Sequence, residues 1–386
     1  MEKLHMAFVD LCNFYDWPMG GMLQYERLIL ETLTKRFSVD LWGVSVDGIA
    51  PEPLMIRGES FPIHTFANAK RGGRLIPNFW RGMSLERYKK ELSHYDLIYL
   101  HTGSCAVVAA LFMKTKTNLL VYHQHGLQYL SDTSLKTLLQ RPFMLLAQKM
   151  TDFSFVVTGR EELEDYLSSG HEALRSKLVA IGSPTEYSPP VSHPLDKTET
   201  DCVFLYVGRL APIKRVPLLV ELFEQFCRQR GTSCRLDIVG DGEDRKAVER
   251  AIIKNGVEKQ VRLIGSVPAT KVSQYLLGAD VFVTASAGEG ASLAVLEAFI
   301  AGLPVVCFPV RGLREQVRDG ETGAVAGTEE APSFVSAMER AFDRRQEMAD
   351  RCRDEGRKHS KEAIGAQIVE EIEQRYGKDH RCHSGL

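Results

Sequence analysis

Short, wholly apolar runs alternate along this chain with longer stretches of helical spacing. In the first half the runs are His5 to Leu11, Phe37 to Val44, Leu97 to Leu100, Leu119 to Tyr122, Asp152 to Val157 and Val179 to Ile181. In the second half they are Val203 to Val207, Arg235 to Val239, Val261 to Ile264, Val281 to Ala285 and Pro304 to Phe308. A run with little polar alternation predicts a strand covered on both faces, as in a parallel sheet. Between the runs, Leu23, Leu28, Ile29 and Leu33 repeat with helical spacing. Helices are likewise expected at Pro217 to Arg230, Asp244 to Asn255, Lys271 to Leu277, and from Ser292 as N-cap through Leu293, Val295, Leu296, Phe299 and Ile300 to Gly302. Regular alternation of this kind predicts an α/β chain built on open, doubly wound parallel sheets. Ser188 to Asp201, with Pro189, Pro190 and Pro194 and no periodicity, reads as a linker. The expected division is residues 1–187, a linker at 188–200, and 201–360.

Against this frame the polar residues at strand ends become candidates for chemistry, because open α/β sheets bind ligands at the carboxyl ends of their strands. Glu289 lies on the loop between a strand and a helix N-terminus, and Glu297 follows eight residues later inside an apolar helix. Glu297 reads either as a solvated helix charge or as a partner for ligand hydroxyls. Arg209 and Lys214 share one strand-to-helix turn, where both could reach a single diphosphate, or could simply face solvent. Gly20 and Gly21 stand at the entrance of the first helix, where backbone N–H groups favour anions. His101 and His125 each follow a strand, on the ligand edge of the first sheet. Gly240-x-Gly242-x-x-Arg245 resembles only half of a dinucleotide fingerprint, and no Walker motif occurs.

Composition narrows the classes. The 386 residues suffice for two full cores, and the formal net charge of −2 gives no reason to expect nucleic acid. The N-terminus leads directly into a strand pattern, so no leader peptide is expected, and no apolar run reaches membrane-spanning length. The 8 cysteines are scattered without a C-x-x-C spacing, which points to reduced thiols in a cytoplasmic protein and against a zinc site. Lys70 to Lys90 carries seven Lys or Arg against one acid, with Phe79 and Trp80. It reads first as a solvated loop and amphipathic helix, and second as a peripheral contact with an anionic membrane or lipid-linked acceptor.

Taken together these residues resemble retaining glycosyltransferases of the GT-B fold, family 4. G-R-L-x-x-x-K at Gly208 to Lys214 is similar to the family's phosphate-binding motif. Glu289 and Glu297, followed by E-A-F-I-A-G-L-P-V-V, resemble its donor signature. Gly320-Glu321-Thr322-Gly323 is similar to its D/N-G-x-x-G turn. The resemblance implies two Rossmann-like domains facing across a cleft, with a helix at 361–377 crossing back to the first and a tail at 378–386. The first domain would take the acceptor and the second the nucleotide-sugar. Arg209 and Lys214 would hold the diphosphate, with Gly20, Gly21 and Gly208 offering close backbone. Ser266 and Val267 would meet the base, Glu297 the ribose, and Glu289 the sugar hydroxyls. Gly290, Ala291, Ser292 and Leu293 would line the donor site, and His125 would sit near the reacting sugar.

The implied reaction is retaining transfer of a sugar from a nucleoside-diphosphate sugar, UDP-sugar first and GDP-mannose next, to a saccharide or lipid-linked glycan. The setting it suggests is bacterial surface polysaccharide assembly at the cytoplasmic face of the membrane. With no D-x-D motif, a cation pair would replace a metal, so neither metal nor cofactor is expected. The alternative is a non-catalytic GT-B subunit that stabilises a partner transferase. Three positions depart from the family pattern, Ala291, Ser292 and Arg215, the last where a glycine usually follows the lysine.

Overall fold

The computed structural model describes residues 3–16, 21–70, 78–127, 135–185, 202–230, 234–289 and 292–381. The chain divides into two compact units: Met1–Pro184 together with Lys361–Leu386, and Thr185–Ser360.

The first unit carries strands β1 (His5–Val9), β2 (Ser38–Val46), β3 (Leu54–Ile56), β4 (Glu59–Phe61), β5 (Ile63–Ala69), β6 (Leu97–Leu100), β7 (Leu119–Gln124), β8 (Phe153–Val157) and β9 (Leu178–Ile181). Seven form one parallel sheet in the order β5-β2-β1-β6-β7-β8-β9, and β3 and β4 pair as a separate antiparallel ribbon. The strand order reverses direction between β1 and β6. Met6 and Phe8 of β1 face one apolar layer and Ala7 and Val9 the other, so both faces of the sheet are covered.

Ile364, Ile368 and Ile372, on the helix Lys361–Arg381, complete the first of these layers beside Ile29 and Leu33 of the helix Gly21–Arg36. Their four-residue spacing makes one stripe. The two helices approach closely at Gly365, where a Cβ would lie 2.5 Å from Thr32.

The second unit carries β10 (Cys202–Val207), β11 (Cys234–Val239), β12 (Val261–Gly265), β13 (Val281–Thr284), β14 (Val305–Cys307) and β15 (Gly323–Val325). They form a parallel sheet ordered β12-β11-β10-β13-β14-β15, reversing between β10 and β13.

Two elements depart from the apolar pattern. β5 is an edge strand with alternating exposure, so it shows no continuous apolar run. The helix Gly103–Phe112 is buried from Gly103 to Ala109, so it has no polar face and the periodic signal vanishes. Among the described residues no helix is long and apolar enough to cross a membrane. Of the basic stretch Lys70 to Lys90, residues 71–77 lie outside the described residues.

Candidate functional site

In the second unit the loops that leave β10 and β13 flank the point where strand order reverses, the place where such sheets open a ligand crevice. The two loops are stitched together. Ala287 N–H donates to Ile213 O at 2.8 Å, and Ser286 Oγ donates to the same carbonyl at 3.3 Å. Lys214 Nζ donates to Glu289 Oε1, and both side chains are largely sheltered from solvent. Two of the candidate residues, 75 apart in sequence, therefore meet as an ion pair.

The turn itself is shaped by close backbone approach. Tyr206, buried at the end of β10, donates its hydroxyl to Arg209 O at 3.0 Å. A Cβ at Gly208 would lie 2.8 Å from that hydroxyl. Burial, followed by the Glu289 carboxylate, raises the Tyr206 phenol well above its ordinary range, while the Arg209 cation lowers it. Tyr206 thus underlies both charges, a role that its place in an apolar run does not advertise. Gly240 adopts φ +134°, and a Cβ there would sit 1.9 Å from Gly208 O. The Gly240–Gly242 pair is thus explained by packing against the Gly208 turn rather than by a dinucleotide. Arg209 is exposed, and among the described residues its guanidinium makes no hydrogen bond or ion pair.

Arg215 explains the departure after Lys214. Its backbone is left-handed (φ 49°, ψ 38°), a conformation that favours glycine and costs another residue about 1 kcal/mol. Its guanidinium donates to Ala285 O at 2.7 Å and Ser286 O at 3.2 Å, pairs with Glu329 at 3.2 Å, and lies over Phe308. The side chain ties the end of β13 to the Gly208–Lys214 turn. We expect Arg215→Ala to lower stability by about 1–3 kcal/mol, because charge-assisted bonds to buried carbonyls are lost while the strain remains. Arg215→Gly should recover about 1 kcal/mol of this by relieving the strain. Equal losses in denaturant unfolding would exclude that account.

Ser292 stands at the N-cap of the helix Leu293–Ala301, but its side chain makes no capping bond. Its backbone is held by Gln316 instead, through N–H to Oε1 at 2.9 Å and from Nε2 to its carbonyl at 3.3 Å. The cap expected from sequence is therefore replaced by a longer-range clamp. Leu293 is exposed. Glu297 is exposed on this helix, yet desolvation by surrounding protein raises its carboxyl pKa. Among the described residues nothing hydrogen-bonds to it, so it remains available to a ligand. Ser266 is exposed after β12, and Val267 packs on the core. Gly20, Gly290 and Ala291 lie outside the described residues, and Gly21 is the first residue of its helix.

In the first unit His125 follows β7. Its Nε2 lies 3.1 Å from His101 Nδ1, its ring meets Tyr25 edge-on, and burial lowers its pKa to about 4. It is a neutral imidazole at physiological pH.

Residues 191–359 match the family described as glycosyl transferases group 1. The EpsD protein of Bacillus subtilis (strain 168) is 25% identical over 72% of this chain and 75% of its own length. The D-inositol 3-phosphate glycosyltransferase of Acidothermus cellulolyticus is 31% identical over 37% of this chain, and the match spans 34% of that relative. Among solved structures, Anabaena HepE in complex with UDP shares the fold at a TM-score of 0.71, with 19% identity over 96% of this chain and 100% of HepE.

Proposed function

We propose that this chain, whose residues 191–359 match the glycosyl transferases group 1 family and whose fold is shared with HepE, is a glycosyltransferase of the GT-B fold with a UDP-sugar donor and a saccharide or lipid-linked glycan acceptor. The observation that carries the reading is the Lys214–Glu289 ion pair at the reversal point of the second sheet. In the free protein each charge satisfies the other. A donor would separate them, its diphosphate taking Lys214 and exposed Arg209, and its sugar hydroxyls taking Glu289. Glu297 would accept from the ribose, and Ser266 and Val267 would border the base.

The difficult event is departure of the nucleoside diphosphate from an oxocarbenium-like centre. Fixed cations at the leaving phosphate stabilise charge that grows in the transition state, each worth roughly 3–4 kcal/mol. With two cations at that position, transfer would need no metal at the diphosphate, and retention would follow from attack on the face the phosphate leaves. His125, uncharged, would serve as a hydrogen-bonding group near the reacting sugar. The choice of uracil is supported by the UDP bound to HepE, a protein of the same fold.

The test is a thermal-shift and donor-hydrolysis panel of UDP-, GDP-, ADP- and dTDP-sugars on desalted protein, with and without added Mg(II) or Mn(II). Stabilisation and turnover by a UDP-sugar, unchanged by either cation, is the expected result. Preference for another nucleotide would refute the donor, and turnover that requires added cation would refute the paired-cation mechanism.

A further inference from the structure

The first sheet reverses direction between β1 and β6, and a cluster with no counterpart among the described residues of the second unit lies at that edge. Asp10 and Cys12 follow β1, His101 follows β6, His125 follows β7, and Glu26 reaches in from the helix Gly21–Arg36. Asp10, Cys12, Glu26 and His101 are all buried. Among the described residues neither carboxylate pairs with a lysine or arginine. Asp10 Oδ1 accepts from Thr102 at 2.6 Å, and Glu26 Oε2 accepts from Cys12 Sγ at 3.4 Å. Burial raises the pKa of both carboxyls and they lie within hydrogen-bond reach of each other, so a shared proton can neutralise one of the two charges, yet no donor among the described residues reaches Glu26 Oε1. Two buried carboxylates without a compensating cation are an arrangement that proteins rarely retain unless something neutralises them.

Three donor atoms converge. His101 Nδ1 is 3.1 Å from His125 Nε2 and 3.7 Å from Glu26 Oε1, and one donor atom from each of the three lies within 4.8 Å of the others. Bonds of about 2.0–2.1 Å in a tetrahedron set neighbouring ligand atoms roughly 3.3 Å apart. The first two separations bracket that value. A hydrogen bond between the two imidazoles accounts for the first but leaves Glu26 Oε1 unused at a distance too long to bond. A cation uses all three atoms.

We propose that Glu26, His101 and His125 bind a zinc(II) ion, with Asp10 and Cys12 as the groups behind Glu26. Imidazole nitrogen with carboxylate oxygen is a donor set suited to zinc. The Cys12 contact to Glu26 Oε2 orients the carboxylate so that Oε1 faces the histidines. The ion brings two positive charges into a pocket that otherwise holds only acids and neutral rings. With Nε2 on the metal, the proton of His125 resides on Nδ1. The scatter of cysteines argued against zinc in the sequence, but these ligands are not cysteines, and only the fold assembles them.

The test uses the full-length chain with His380→Ala, Cys382→Ser and His383→Ala, so that the tail sequence supplies no competing ligands. Purified from zinc-supplemented medium, it should hold about one zinc per chain, and X-ray absorption should show a nitrogen and oxygen shell without sulfur. Replacement by Co(II) should give the strong visible bands of four-coordinate cobalt. Glu26→Gln and His101→Ala should each weaken zinc binding at least about tenfold. Absence of stoichiometric zinc in folded protein, a sulfur ligand, or a folded Glu26→Gln variant with undiminished zinc would each overturn the proposal. Should the variants not fold, the absorption spectrum and metal content of the parent protein decide alone.

Discussion

Replacing Lys214 with alanine should lower sugar transfer roughly 100- to 1000-fold, the usual effect of deleting one preorganised group that stabilises transition-state charge. UDP affinity should fall with it, because in the proposed complex the lost ammonium would also meet the ground-state diphosphate. Glu289→Gln should cost transfer to a similar degree but leave UDP affinity within a few-fold of the parent, since UDP lacks the sugar that Glu289 is proposed to hold. The two variants therefore separate in a UDP titration while agreeing in turnover. Both should keep the parent circular dichroism spectrum, because each removes one half of a pair at the mouth of a loop and leaves the buried strands intact. Equal UDP affinity in both variants would refute the division of labour between the two residues, and near-parental turnover in both would refute the site.

A comparably large effect is expected from a residue that carries no charge. Gly240→Ala places a methyl group where Gly208 O now lies 1.9 Å away, and does so at φ +134°. Only displacement of the Gly208 turn relieves such an overlap. The strain should lower stability by about 3 kcal/mol. Moving Gly208 moves Arg209 and Tyr206 with it, and a shift of about 1 Å at such groups costs roughly 100-fold in rate. Denaturant unfolding and turnover measured on the same preparation check both parts. Loss of stability with full activity would show that the turn's position is not needed.

How far the sequence announces this molecule depends on whether the relevant signal is local. Strands such as β10, β11 and β13 are buried at nearly every position, so their composition alone reveals them. β5, on the sheet edge, keeps alternate residues exposed and gives no such run. Glu289 and Lys214 stand out as candidates because each lies in a loop after a strand end, where a ligand is expected. That they meet depends on β10 and β13 being neighbours, which follows from topology and not from spacing. Arg215 reads as a mere exception until its left-handed backbone and its bonds to Ala285 and Ser286 show a different solution to the same turn. Glu26 is the least legible. One charge in a helix of mixed composition resembles any solvated position, and only the packed structure shows it fully buried beside His101.

The return of the helix Lys361–Arg381 to the first unit has a consequence for how the protein is made. Ribosomes deliver residues in order, so β1 to β9 emerge complete while the stripe of Ile364, Ile368 and Ile372 is still about 180 codons away. Until it arrives, the apolar face that receives it stays uncovered, and burying three isoleucines contributes about 1.5–3 kcal/mol apiece at most. The second unit, contiguous from Thr185 to Ser360, has no such debt and can finish first. The unit translated second is therefore expected to complete its core before the first does. A chain released at residue 184 should collect on chaperones, whereas the same segment supplied in trans with a peptide of residues 361–381 should become soluble.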